Sequence, residues 1–390
     1  MREISLREAA ARQLSQYCSS FYERDIETSI RSFTPGEWVI VKGKKREFIG
    51  FINPLVTQGP CLRVVCEKNS ERTPLEIVEY LLSKSLAKRS KYIDYKNYRL
   101  CYGDSDFLPG LIVDVFQNYV LIQINTAGLD KYRLEIKDFL IKSYPSKKVV
   151  LFDKAEYRKN ELLPEYEVEE ISDVEILEND FKYSVSAKTI QKVGYYFDHR
   201  ENRLKLENFL KRIESLESGV DLFSYVGSWG LHLLRGGVGK VEFVDQADMQ
   251  TNIENNLKLN NFEGRGSFTR SDVFSYLEQC LQNNNKFDII VSDPPAFSKS
   301  ERNVKKALGG YEKLHTKALK VIKDNGYYIA ASCTHGVSLE DLDRTVSNAS
   351  LNVGKTLSLL DIGVQGFDHP FESLKSKAFY IKYLLYQVCE

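Results

Sequence analysis

G-V-D-L-F-S-Y-V-G-S-W-G, residues 219–230, reads as an apolar strand that runs into a glycine-bearing turn and then a helix. Glycine lets a backbone approach a ligand closely, and the N–H groups at a helix start are free to meet it. Gly227 and Gly230 stand where both effects apply. Alone, such a turn is explained as well by simple chain reversal. The surroundings decide the fold. Strand candidates at 219–223, 240–245, 287–292 and 327–332 alternate with helical stretches, clearest at 248–260 and 304–322. That alternation predicts a doubly wound, mostly parallel α/β sheet from about residue 186 to 390. Ligands of such sheets sit beyond the carboxyl ends of the strands, so the segments after each strand are the places to search.

Two further segments precede it. Residues 1 to about 70 look β-rich, with strands at 38–41, 48–52 and 62–66 broken by Pro35-Gly36, Gly43 and Gly59-Pro60. One break carries Lys42, Lys44, Lys45 and Arg46, which suit either a phosphate contact on a small β barrel or a solvated hairpin turn. From about 71 to 185 an α+β stretch is expected. A helix from Pro74 to near Lys88 begins with Thr73 as N-cap and Glu76 completing a capping box. Strands at 111–116 and 119–124 flank a Gln117-Asn118 turn, and a helix at 131–143 and a strand at 148–152 follow.

Composition narrows the class. The 390 residues carry 54 basic and 54 acidic side chains, so any nucleic-acid contact must come from local patches. The seven cysteines form no C-x-x-C pair and no zinc spacing, so neither a metal nor a disulfide framework is expected. The charged N-terminus has no apolar core of a signal peptide, and no apolar run is long enough to span a bilayer. A cytoplasmic protein is the expectation.

Four strand ends carry the chemistry. Asp245 ends its strand 18 positions after Gly227, a spacing that suits a ribose diol, with a helix N-cap as the alternative. Asp272, in S-D-V-F-S-Y-L, suits an exocyclic amino group or, again, a cap. In S-D-P-P-A-F-S-K-S (292–300), two prolines stiffen the chain after Asp293, as a pocket for a planar base requires. A plain structural turn is the alternative. In Y-I-A-A-S-C-T-H-G (328–336), Cys333 closes a strand at the same edge, which favours a nucleophile over a core thiol. A free thiol titrates near ~8.5, so a neighbouring cation, Lys192 or Arg200, is expected to lower Cys333.

With these residues in hand, the chain resembles the bacterial large-subunit ribosomal RNA cytosine C5-methyltransferases that carry an N-terminal PUA domain. The resemblance rests on L-P-G-L-I-V-D (108–114), Q-K-V-G-Y-Y-F-D-H-R-E-N-R (191–203), L-F-S-Y-V-G (222–227), D-V-F (272–274), D-P-P-A-F (293–297), G-Y (310–311), S-C-T (332–334) and D-H-P (368–370). It implies a Rossmann-like class I methyltransferase domain at 186–390, preceded by a PUA-like RNA-binding domain at 1–70 and a linker helix with an α+β middle domain at 71–185. It implies S-adenosylmethionine as cofactor, held by Tyr225, Gly227, Ser228, Asp245, Asp272, Val273 and Asp293, with Lys192 alongside. Cys333 and Asp293 would be catalytic, Arg200 would meet the RNA, and the substrate would be large-subunit ribosomal RNA. Val226 and Ser228 replace a Thr and a Gly common in the family's cofactor turn, and Thr334 replaces a Ser. No second cysteine adjoins D-P-P, so the base that removes the carbon 5 proton is unnamed.

Rival readings stay open. D-P-P-A-F also suits amino-group methylation of adenine or guanine, which needs no cysteine. A dehydrogenase lacks its G-x-G-x-x-G turn. An inactive RNA-binding assembly factor would have no use for Asp245, Asp272, Asp293 and Cys333 together. The target nucleotide, the state of the RNA substrate and homodimerisation stay open as well.

Overall fold

A computed structural model describes residues 1–14, 20–69, 71–92, 95–153, 155–192, 194–297, 303–374, 376 and 378–389. Cys18 and the S-K-S end of the D-P-P motif lie outside them. The chain forms two compact units. One holds Met1–Glu175, Ala187–Gly194 and Asp368–Pro370; the other holds Ile176–Ser186, Tyr195–Phe367 and Phe371–Glu390. The expected segment 1–70 and most of 71–185 share the first unit, whereas 176–185 belong to the second and 187–194 and 368–370 to the first.

The first unit contains β1 (Arg2–Ser5), β2 (Ser20–Phe21), β3 (Glu37–Lys42), β4 (Glu47–Ile52), β5 (Leu62–Glu67), β6 (Tyr98–Tyr102), β7 (Leu111–Val115), β8 (Tyr119–Ile124) and β9 (Lys148–Leu151). The first five form one sheet in the order β1-β3-β4-β5-β2, and the last four form another in sequence order. They share a core because β3 and β4 are apolar on both faces: Trp38, Ile49 and Phe51 pack with Leu111, Val120 and Ile122. Trp38 Nε1 donates to the Gly128 carbonyl at 3.0 Å, and a Cβ on Gly128 would lie 2.1 Å from the Phe51 ring. The helix Pro74–Arg89 starts with the expected capping box of Thr73 and Glu76. The D-H-P motif belongs to this unit as a structural anchor. Asp368 accepts the Arg99 N–H at 2.9 Å and His369 Nδ1 stands 2.8 Å from its other oxygen.

The second unit adds the hairpin of β10 (Val174–Glu178, its first two residues counted in the first unit) and β11 (Phe181–Val185), then β12 (Ser218–Leu222), β13 (Lys240–Asp245), β14 (Gly266–Arg270), β15 (Phe287–Ser292), β16 (Ile322–Ser332), β17 (Thr356–Gly363) and β18 (Lys382–Cys389). The last seven form one sheet, ordered β14-β13-β12-β15-β16-β18-β17. β12 to β16 run parallel, and β18 is antiparallel to both of its neighbours. The doubly wound sheet is thus the expected one, with helices Gln250–Leu259 and Val304–Lys320 within the predicted stretches. Val220, Leu222, Ile290, Tyr328 and Leu384, which share one face of the sheet, are buried in one cluster with the helices that cover that face. Strand order reverses between β12 and β15, which opens a crevice at their carboxyl ends. No helix among the described residues is long and apolar enough to cross a membrane.

Candidate active site

The turn after β12 is wound tightly. Phe223, Tyr225 and Gly227 all take positive φ, at 61°, 50° and 86°, and the helix Ser228–Arg235 starts immediately. Beneath the turn lies Asp221, fully buried, whose Oδ2 accepts the Gly230 N–H at 2.8 Å. Burial, with the charges of Asp293 and Asp245 adding to it, pushes its carboxyl up to about 8. Gly230 is small for packing rather than for a ligand, because a Cβ there would fall 2.1 Å from the Phe243 ring. The Ser228 hydroxyl meets Tyr195 OH at 3.2 Å, and the buried Ser224 hydroxyl has no hydrogen-bond partner among the described residues.

Asp245 closes β13 and is not an N-cap. Its Oδ2 accepts the Tyr225 N–H at 2.9 Å and its Oδ1 the Ala247 N–H at 2.8 Å, so it ties the β12 turn to the β13 turn. Each oxygen keeps a lone pair for another donor. Asp272 realises the capping alternative: it is the N-cap of the helix Val273–Gln282 and accepts from Ser275 N at 3.0 Å and Ser275 Oγ at 3.1 Å. Val273 points into the core, so only its backbone is available to a ligand.

Asp293, directly after β15, is gripped by groups the sequence reading did not nominate. Trp229 Nε1 donates to its Oδ2 at 2.9 Å, and His199 Nε2 faces its Oδ1 at 3.6 Å. The His199 Nδ1 is occupied by Asn202 Nδ2 at 3.1 Å, which itself donates to the Val364 carbonyl, so the proton of a neutral imidazole belongs on Nε2, toward Asp293. Cys333, directly after β16, is partly exposed, and its Sγ lies 3.7 Å from the carbonyl of Pro294. The Tyr311 hydroxyl sits 2.8 Å from both Ser332 Oγ and Thr334 Oγ1, fixing the chain on either side of the thiol. The Phe297 ring packs on Tyr311 with centroids 4.6 Å apart. The G-Y pair in the sequence was the only signal of this clamp.

The electrostatics correct one expectation. Burial first, then the charges of Asp293 and Asp198, push the Cys333 thiol up to about 12, whereas a lowered value was expected. Neither nominated cation is seen to offset this. Arg200 is 3 % exposed and its Nε faces Glu178 at 3.5 Å, which removes it from a direct RNA contact as well. Lys192 ends the helix Ala187–Lys192, and its side chain lies outside the described residues. The positive charge that does act on the thiol is Lys382, the first residue of β18.

In the first unit, Lys42, Lys44, Lys45 and Arg46 are exposed on and beside the β3–β4 turn. Three of them face acids: Lys42 to Glu3 at 2.6 Å, Lys44 to Glu8 at 3.2 Å and Arg46 to Glu67 at 3.2 Å. The cluster is therefore a partly neutralised patch rather than a field of free cations.

The family model described as Conserved hypothetical protein 95 matches residues 202–338, which span the strand tips above. Solved structures share the fold. A Streptococcus mutans protein described as a SAM-dependent methyltransferase superposes with a TM-score of 0.77 at 19% identity, covering 99% of this chain and 100% of that one. A second solved methyltransferase structure with the same figures is complexed with SAH. Curated relatives are nearer in sequence. "Ribosomal RNA large subunit methyltransferase I" of Vibrio vulnificus is 30% identical over 294 residues, 73% of each chain. The protein of the same name from Pseudoalteromonas translucida is 32% identical over 324 residues, 80% of each. On that identity over four fifths of both chains, the protein belongs to the ribosomal RNA large subunit methyltransferase I family.

Proposed function

We propose that this protein transfers a methyl group from S-adenosylmethionine to carbon 5 of a cytosine in large-subunit ribosomal RNA, through a covalent Cys333 adduct. The observation that carries this reading is the meeting of a thiol and a rigidly held carboxylate at adjacent strand tips, with Cys333 Sγ 3.7 Å from the carbonyl next to Asp293. The relatives' names support the RNA class, and a ribosomal substrate would place the reaction in the cytoplasm.

The residues fit the cofactor. The β12 turn leaves the buried Ser224 hydroxyl unspent, and Asp245 keeps acceptor capacity beside it. Tyr225, Gly227 and Ser228 would hold the methionine end, Asp245 the ribose, and Asp272 with the Val273 backbone the adenine. When bound, S-adenosylmethionine supplies the electrophilic methyl that carbon 5 takes.

The chain's own residues make that carbon reactive. The Cys333 thiolate adds to carbon 6, a C–S bond forms, and the ring electrons shift so that carbon 5 becomes an enamine carbon. Asp293, fixed by Trp229, would stand at ring nitrogen 3 and hold the adduct. Loss of the carbon 5 proton returns an electron pair to the ring and breaks the C–S bond. A base inside a helix cannot reach this geometry, so the cytosine must be unpaired or flipped out. The first unit, with its five-stranded sheet read as a PUA-like domain, would add RNA affinity through the Lys42, Lys44, Lys45, Arg46 patch.

Amino-group methylation of adenine or guanine is the second reading. One feature favours it: burial and the charges of Asp293 and Asp198 push the Cys333 thiol up, which opposes a nucleophilic thiolate. Bisulfite sequencing of ribosomal RNA from cells with and without the protein decides between them. A protected cytosine lost with the protein supports carbon 5. An unchanged bisulfite pattern, with a lost N-methylated purine, supports the alternative.

A further inference from the structure

Lys382 is 1 % exposed, yet among the described residues no carboxylate pairs with its ammonium. Its Nζ donates to the carbonyls of Thr334 at 2.8 Å and Tyr380 at 2.9 Å and lies 5.5 Å from the Phe379 ring centre. An ammonium has three donors, so two carbonyls do not exhaust it. A buried cation without an anion is costly, and nearby groups ordinarily supply one. The sheet indicates which. β18 is antiparallel to β16 with Lys382 opposite Ser332, and the carbonyl that Lys382 grips is that of Thr334. The residue between those two contact points is Cys333.

We propose that Lys382 is the counter-ion of the Cys333 thiolate: a positioning residue that holds a positive charge beside the sulfur so that it can ionise. The proposal rests on the reading of Cys333 as nucleophile and adds the group that makes it one. The surroundings make such a cation necessary. Asp293 after β15 and Asp198 before the helix Arg200–Leu210 both oppose a thiolate, and Tyr311 is itself burdened by the thiol's charge. Asp198 is held in place by Tyr380 OH at 2.7 Å. Lys382 feels Cys333 and, more weakly, Asp341 of the helix Leu339–Val353, while burial brings it down to about 8. On ionisation the thiol proton leaves to solvent, the negative charge stays on sulfur, and the ammonium keeps its two carbonyl bonds.

The rival role for Lys382 is a mere staple between Thr334 and Tyr380. The full chain, without cofactor or RNA, separates the two. Iodoacetamide alkylation of Cys333 is followed by peptide mass spectrometry below about pH 8, where Lys382 keeps its proton, because the rate tracks the thiolate fraction. Lys382→Gln keeps amide donors for the staple and removes the charge. It should slow Cys333 alkylation about ten-fold at a given pH, the size of a one-unit rise in thiol pKa. Lys382→Arg should restore the rate. Lys382→Met should behave as Lys382→Gln if it folds, and Asp198→Asn should move the rate the opposite way. Equal rates for wild type and Lys382→Gln overturn the proposal. That result would leave the Cys333 reading standing, whereas a Cys333→Ser protein that still methylates would remove that reading without touching the alkylation result.

Discussion

Asp221→Asn should make the second unit more stable, and increasingly so as pH rises. Asp221 is fully buried under the turn after β12, and its carboxyl is pushed from 3.8 to about 8, by burial first and then by the charges of Asp293 and Asp245. The folded chain therefore keeps a proton that the unfolded chain releases. The sign follows: the group's contribution is fully present below about pH 4, is lost progressively as pH rises, and is gone above about pH 8. About four pKa units at ~1.4 kcal/mol each set a ceiling of about 6 kcal/mol. Asparagine is neutral throughout and its carbonyl can still accept the Gly230 N–H that Asp221 holds at 2.8 Å. The stability difference between variant and wild type should thus grow by at least ~2 kcal/mol between about pH 4 and pH 8. Guanidinium titrations read it through Trp229, made the sole tryptophan by Trp38→Phe in both proteins. A difference that stays constant across that range would refute a protonated Asp221.

Cys333→Ser should keep the fold and S-adenosylmethionine binding and abolish methylation, while wild type should be trapped as an adduct on 5-fluorocytosine RNA; methylation near the wild-type rate would remove the nucleophile. Tyr311→Phe should cost about 1–3 kcal/mol of stability, because the Ser332 and Thr334 hydroxyls lose a shared partner, and should lower kcat more than it raises KM for RNA. Asp245→Ala should weaken S-adenosylmethionine in calorimetry by about 1–3 kcal/mol, since the β12 and β13 turns also lose their tie. Replacing Lys42, Lys44, Lys45 and Arg46 by Ala should flatten the salt dependence of RNA affinity. The change should be modest, because three of the four already face acids; an unaltered slope would make the cluster only a solvated turn.

Much of the fold was legible because parallel strands clothed on both faces are short apolar runs ended by turn residues. β13 and β15 were read at their observed bounds, and β12 one residue off. What escaped was structure whose pattern carries no such contrast. G-S-F-T-R forms β14 at the sheet's edge with no residue of the strand buried, so Asp272 could be placed at a strand end without the strand itself being delimited. Thr356–Gly363 forms β17 at the other edge, with Leu359, Leu360 and Ile362 exposed. The hairpin of β10 and β11 is fixed from outside, by Asn256 and Asn260 accepting the N–H groups of Ser184 and Lys182 at 2.9 Å each. No local propensity announces a strand held by distant asparagines.

The site divides the same way, between what chain position determines and what only three-dimensional register supplies. A residue that ends or directly follows a parallel strand lies at its carboxyl edge, so Asp245, Asp293 and Cys333 could be named from chain position alone. Their neighbours could not. The Trp229 indole reaches Asp293 only because the β12 turn aims its helix across the crevice. The expected cations, Lys192 and Arg200, were chosen for their place in the 191–203 stretch that carries the family resemblance, and for Arg200 the structure shows the opposite use, a buried charge facing Glu178. Lys382 had no such motif. It opens K-Y-L-L-Y-Q-V-C, where one polar residue before an apolar run reads as a solvated strand end. Antiparallel insertion of β18 reverses that meaning. In a parallel strand this first residue would lie at the far edge of the sheet; running the other way, it is carried to the carboxyl edge of β16, one residue from the thiol.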